Sequence, residues 1–258
     1  MKIAIAGKGG SGKTTIAGIL TRILSERGHK VWAIDADSNP NLGVTIGLPL
    51  HKVQELKPIS SKILKEIIDD KGERAFQLGM PPREVVSEFG MPVRENLTLL
   101  SMGSVDHAGT GCMCGGHSRV RHLLSGILQE EGVVTVVDME AGLEHLSRGT
   151  DRHVDTLLVV AEPYFKALET ARRCAELAHE LRIPNVAAVA NKFRSPGDLE
   201  TVRKYAASHH IPVMGEVPYD EKIQEADLAG GAPDLCNGNS AVAAVSKIAD
   251  ALGLECRH

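Results

Sequence analysis

Residues Gly7-Lys8-Gly9-Gly10-Ser11-Gly12-Lys13-Thr14-Thr15 fit the spacing G-x-x-x-x-G-K-[ST]. In such a loop the backbone N–H groups, here from Gly9 to Thr15, cradle phosphates at a helix N-terminus. Lys13 would reach the β- and γ-phosphates, and the Thr14 hydroxyl would ligate Mg²⁺. A second lysine, Lys8, is surplus to this pattern. The same glycines also spell G-x-G-x-x-G at Gly7, Gly9 and Gly12, with Asp35 about 20 residues on, as a dinucleotide-binding unit requires. The ending Gly12-Lys13-Thr14 decides for the phosphate loop, because a dinucleotide turn has no use for a lysine and a metal-ligating hydroxyl there.

Two acidic segments extend this chemistry. Asp35-Ala36-Asp37-Ser38-Asn39-Pro40-Asn41 puts two carboxylates at the end of an apolar run. They suit Mg²⁺ and its water shell, and one of them could position a hydrolytic water. An Asx-rich turn is the plainer reading of the same residues. Val133–Val137 is a second apolar run that ends in an acid, Asp138, and continues to Gly142. Asp138 would hold Mg²⁺ through water, and the Gly142 N–H would sense the γ-phosphate. Base choice is written in Asn191-Lys192-Phe193-Arg194: a guanine site carries a carboxylate where Arg194 can only donate, so adenine is favoured. Asn191 and Lys192 would border that base, with Val217-Pro218-Tyr219-Asp220 closing over it.

The third constellation is Gly111-Cys112-Met113-Cys114-Gly115, two nearby thiols on a pliable backbone ahead of a helical pattern. A helix N-terminus favours the thiolate. Two thiolates do not complete a four-ligand soft-metal site. A second copy of the loop across a two-fold axis would supply the other two, or His107, His117 or His122 would do so within one chain. Structural cysteines and a strained disulfide between neighbours are the alternatives. Cys174, Cys236 and Cys256 fall in segments where packing or inert exposure is expected.

These groups need a frame. Apolar runs recur at Lys2–Ala6, Lys30–Ile34, Leu97–Ser101, Val133–Val137, Thr156–Ala161, Val186–Ala190 and Val213–Val217. Helical patterns such as Thr14–Glu26, Ala167–Glu180 and Ser240–Leu252 alternate with them. Continuous rather than alternating hydrophobicity predicts strands buried on both faces of a parallel sheet. The expected fold is α/β: a doubly wound, mostly parallel sheet flanked by helices, one domain over residues 1–258, with ligands at the carboxyl ends of the strands. Residues 50–96 are the least informative; Lys62–Asp70 reads as an amphipathic helix, and Met80-Pro81-Pro82 with Met91-Pro92 as irregular connection. The 258 residues carry a net charge of −4 with both signs interspersed, which leaves no footprint for nucleic acid. An odd count of five cysteines, the lack of an apolar leader and the lack of a spanning segment favour a cytoplasmic protein away from membranes.

Gly-Lys-Gly-Gly-x-Gly-Lys-Thr-Thr, then Asp-x-Asp, then Asp-x-x-x-Gly, resembles the deviant Walker A ATPases of the MinD, ParA and nitrogenase iron-protein group, over nearly the whole chain. The resemblance implies ATP hydrolysis to ADP in a homodimer that sandwiches the nucleotide. It assigns Lys8 to the partner's phosphates, Asp37 to the attacking water and Asp35 to the Mg²⁺ shell. ParA-type members use basic patches, MinD-type members a basic membrane helix, and the iron proteins two widely separated cysteines. This chain has none of these three features. Cys112-x-Cys114, Asp138 to His145 and an acidic composition together resemble the branch that serves nickel insertion into carbon monoxide dehydrogenase. That branch implies Ni²⁺ or Zn²⁺ on Cys112 and Cys114 of both subunits, apo carbon monoxide dehydrogenase as client, and dimerisation promoted by nucleotide and metal. A positioning ATPase of MinD or ParA type and an iron–sulfur reductase are the rival readings.

Overall fold

Along each central strand, buried aliphatic side chains alternate between two clusters. Ile3 and Ile5 belong to one and Ala4 and Ala6 to the other; Leu158 and Val160 are likewise set against Leu157 and Val159. A period of two with both faces apolar is what a sheet covered on both sides demands. The computed structural model describes residues 1–68, 72, 74–103, 113–140, 154–236 and 238–256, with side chains between 113 and 119 left out.

The first half runs β1 (Lys2–Gly7), α1 (Lys13–Glu26), β2 (Val31–Ala36), α2 (Leu42–Thr45) and α3 (Leu50–Gln54). A 3₁₀ turn (Ser61–Ile63) then leads into β3 (Leu64–Ile68), β4 (Arg74–Leu78), α4 (Pro82–Phe89), β5 (Met91–Arg94) and β6 (Leu97–Ser101). After these come α5 (Met113–Ile127), β7 (Val134–Met139), β8 (Thr156–Ala161), α6 (Phe165–Glu180) and β9 (Asn185–Phe193). The chain closes with α7 (Pro196–Ser208), β10 (Val213–Pro218), α8 (Glu221–Leu228) and α9 (Ser240–Ala251).

Eight strands form one sheet in the order β10-β9-β8-β1-β7-β2-β6-β5, parallel except for the edge strand β5. Helices α1 and α9 supply the cluster on one face, and α5, α6 and α7 the cluster on the other. The doubly wound fold is as expected. Burying each Val, Ile or Leu stabilises the fold by about 1.5–3 kcal/mol. The sheet is therefore a rigid base for the loops at its carboxyl edge, where the phosphate loop, the acids and the Asn191 segment all emerge. Among the described residues no helix is long and apolar enough to cross a membrane.

Two expectations fail in residues 50–96. Residues 62–68 form no helix; they are the 3₁₀ turn and β3, paired antiparallel with β4 in a separate hairpin from Leu64↔Leu78 to Ile68↔Arg74. Ile67 and Ile68 are β-branched, and a partner strand is available to them. The stretch expected to be irregular is ordered. Pro81 and Pro82 start α4, because proline at the first helical position gives up an N–H that would have no partner. Pro92 sits on the outermost strand β5, the position in a sheet that tolerates a missing donor.

Candidate functional site

β1 ends at Gly7, where a Cβ would stand 2.4 Å from the Val160 carbonyl oxygen, so only glycine lets the chain turn away here against β8. The loop re-enters α1 through Gly12, which has a left-handed φ of 95° and whose Cβ would meet the Asn191 amide at 2.3 Å. Within the loop the Ser11 N–H donates to the Lys8 carbonyl at 3.1 Å, and Lys13 Nζ donates to the same oxygen at 3.3 Å. Lys13 is buried, as is the Ser11 hydroxyl, which has no partner. No side chain caps α1, so its first-turn N–H groups are available to an anion, beside Thr14 and Thr15.

Asp35 and Asp138 are register partners on β2 and β7, and both are fully buried. Asp35 accepts from the backbone N–H groups of Leu42 at 2.8 Å and Asp37 at 3.2 Å. Burial, with the neighbouring Asp138 charge, still pushes its carboxyl up to about 7. Burial pushes Asp138 up to about 6, against the pull of the Thr14 hydroxyl and the Lys13 ammonium. That hydroxyl stands close enough to favour the ionised carboxylate yet outside hydrogen-bond geometry, so both Asp138 oxygens remain unpartnered. A buried carboxylate without donors is costly unless a cation is nearby. The set of Thr14, Asp35 and Asp138 beside a phosphate loop fits Mg²⁺. Asp37 does form the Asx turn that was the plainer reading, accepting from the Asn39 N–H at 2.8 Å. The Ser38 hydroxyl then donates to Glu140 at 2.8 Å, which ties this turn to the residue after β7.

On the other side of the loop lies a cavity of about 380 Å³, bordered by Gly12, Thr15, Asn191, Lys192, Pro218 and Tyr219. Pockets of this size accommodate small ligands. The Arg194 guanidinium lies 3.5 Å above the centre of the Tyr219 ring. Asn191 lines this cavity, but its amide donates to the Ser11 carbonyl at 2.7 Å, so that donor anchors the loop. Lys192 Nζ donates to the Gly10 carbonyl at 2.6 Å and pairs with Glu162 at 3.3 Å. The Tyr164 hydroxyl donates to the same Glu162 oxygen at 3.0 Å. Sequence reasoning missed Glu162 and Tyr164, which match no spacing motif. The available signal was a carboxylate directly after an apolar run, Thr156–Ala161, as Asp138 follows Val133–Val137.

Cys112, His107 and Gly142 lie outside the described residues. Cys114 is on the first turn of α5 and the His117 backbone begins the second; their side chains lie outside the described residues. His122 is two turns beyond Cys114, about 12 Å along the axis. Its ring packs edge-on against Phe76, 5.6 Å between centroids. That places the His122 ring against the β3–β4 hairpin. Cys174 is buried, with its thiol pushed up to about 11 by burial, and is therefore unreactive. Cys236 and Cys256 are exposed.

Residues 2–233 match the family described as the CobQ/CobB/MinD/ParA nucleotide binding domain. The chain is 40% identical over 234 residues to the carbon monoxide dehydrogenase accessory protein CooC of Rhodospirillum rubrum, covering 89% of this chain and 88% of that protein. It is 36% identical over 238 residues to an uncharacterized ATP-binding protein of Methanocaldococcus jannaschii, covering 89% and 90%. The MinD cell division protein of Aquifex aeolicus superposes with a TM-score of 0.67 at 20% identity, covering 100% of this chain and 98% of that one, a likeness of fold. Agreement over nine-tenths of the length, with the phosphate loop and both acids in place, leads to one conclusion: this chain belongs to the CobQ/CobB/MinD/ParA nucleotide-binding family.

Proposed function

We propose that the protein is an ATP-hydrolysing metallochaperone that carries Ni²⁺ on Cys112 and Cys114 of two copies and delivers it to carbon monoxide dehydrogenase. What carries this reading is the 40% identity to a protein named for service to that enzyme, in a chain that also holds a Cys-x-Cys pair. ATP phosphates lie on the Gly9–Thr15 amides, with Lys13 reaching the β- and γ-phosphates. Thr14, Asp35 and Asp138 hold Mg²⁺, which supplies charge neutralisation for the phosphates when bound. Asp37 orients the hydrolytic water, and the Gly142 N–H senses loss of the γ-phosphate. Adenine occupies the cavity bordered by Asn191, Lys192 and Pro218. Lys8, half-buried at the base of the loop, reaches the phosphates of the partner copy.

Nickel is the cargo, and four thiolates from two chains satisfy its coordination; Zn²⁺ is accepted by the same donors. Titration of Ni²⁺ into the purified protein, followed by thiolate-to-nickel charge-transfer absorption, tests the assignment. About one ion per two chains is expected from four shared ligands. The double variant Cys112→Ala/Cys114→Ala should lose the absorption and still bind ATP. Unchanged stoichiometry in that variant would remove the cysteines from the site.

A further inference from the structure

We propose that Glu162 is a positioning residue for the phosphate loop, acting through Lys192. The proposal rests on the nucleotide-binding reading of that loop. The tip of the loop has little to hold it: Gly9 and Gly10 are exposed, and a Cβ at either would meet nothing within 4 Å. Two side chains from β9 tether the segment from outside, Asn191 on the Ser11 carbonyl and Lys192 on the Gly10 carbonyl. The Lys192 contact is 2.6 Å, a short hydrogen bond from a charged donor. A carbonyl engaged by a lysine outside the loop cannot swing to the phosphate side, where its negative end would repel the ligand.

Lys192 cannot hold that position unaided. Its side chain is 40% exposed, and its backbone has a left-handed φ of 57°, which an L-residue adopts only when its surroundings impose it. A free lysine also regains rotamer entropy in solvent. The Glu162 carboxylate, 3.3 Å from Nζ, opposes that escape. Glu162 is itself only 6% exposed, set just past β8, and its Oε1 accepts the Tyr164 hydroxyl. A fixed carboxylate, a lysine and a loop carbonyl thus form a chain in which Tyr164 orients Glu162, Glu162 holds Lys192, and Lys192 sets the Gly10 peptide.

A double-mutant cycle on nucleotide affinity tests this, using a fluorescent ATP analogue with Mg²⁺ and the variants Glu162→Gln, Lys192→Met and both together. Glu162→Gln should weaken binding about fivefold to tenfold, the scale of one ordinary hydrogen bond, with KM for ATP rising more than kcat falls. The double variant should bind as Lys192→Met does, because a residue that acts through Lys192 has no further effect once Lys192 is gone. Tyr164→Phe should shift affinity in the same direction by less. Additive losses in the double variant would overturn the proposal. So would a Glu162→Gln protein that melts earlier without nucleotide but binds the analogue as tightly as wild type. A wild type that binds no analogue would instead overturn the nucleotide reading itself.

Discussion

Asp138 carries a carboxylate whose two oxygens are buried and unpartnered, one strand from the equally buried Asp35. Both are raised above the ordinary carboxylate value near 3.8, to about 6 and about 7. Between those values the folded protein holds protons that the unfolded chain has released. Stability of the nucleotide-free protein should therefore be full below about pH 4 for these two groups and fall as pH rises toward 7. For Asp138 alone, a rise from 3.8 to about 6 corresponds to about 3 kcal/mol. Asp138→Asn should flatten that slope in urea denaturation between about pH 4 and pH 7 while losing Mg²⁺-dependent hydrolysis. Parallel pH curves for wild type and variant would show that the buried charge is not the cause. The residues of this centre were legible because their spacing is local: a loop of fixed length places Lys13 and Thr14, and a strand end places each acid. Glu162 was not, since its meaning depends on Lys192, which a full helix and strand separate from it in sequence. Asn191 was half legible: the structure puts it on the wall of a cavity beside the loop, but its amide is committed to the Ser11 carbonyl, which no local pattern announces.

The β3–β4 hairpin is the element that sequence periodicity misplaced. Lys62 to Ile68 has apolar residues at spacings that fit a short helix as well as a strand, and short apolar runs cannot be separated by periodicity alone. The choice is made by pairing with Arg74–Leu78 and by a seat on α5, neither of which is local. That seat depends on Gly126: a Cβ there would stand 2.3 Å from Leu78 Cγ and 2.5 Å from its Cδ1. Alanine is ordinarily worth about 1 kcal/mol over glycine inside a helix. Here the clash outweighs that preference, so Gly126→Ala should destabilise by about 1–3 kcal/mol, as overpacking does. Adding Leu78→Ala should remove the clash and recover part of the loss, leaving the cost of the deleted leucine. Thermal or urea unfolding of the three variants decides it; a stabilised Gly126→Ala would mean that the hairpin yields freely. The parallel strands, by contrast, were legible almost to the residue, because burial on both faces leaves a continuous apolar run such as Thr156–Ala161 that no surface helix shares.

At the scale of the molecule, the proposed function joins two ligands to one assembly. The proposed nucleotide site lies at the carboxyl edge of the sheet, while Cys114 is on the first turn of α5, the helix that follows β6 at that same edge. If ATP and Ni²⁺ each bind the dimer in preference to the single chain, each must draw the association equilibrium toward the dimer by its differential affinity. Linkage then imposes a stricter condition: the factor by which Ni²⁺ tightens ATP binding equals the factor by which ATP tightens Ni²⁺ binding. Sedimentation of the wild type with a non-hydrolysable ATP analogue, with Ni²⁺ and with both should show a dimer fraction that rises with each ligand and most with the two together. Lys8→Ala separates the contributions, since its proposed target is the partner's phosphate. It should lose hydrolysis more than nucleotide affinity, and it should break the nucleotide-driven step while the nickel-driven step persists. Equal Ni²⁺ affinity with and without the analogue would show that metal loading and nucleotide closure are independent, and hydrolysis could then not drive release of the cargo.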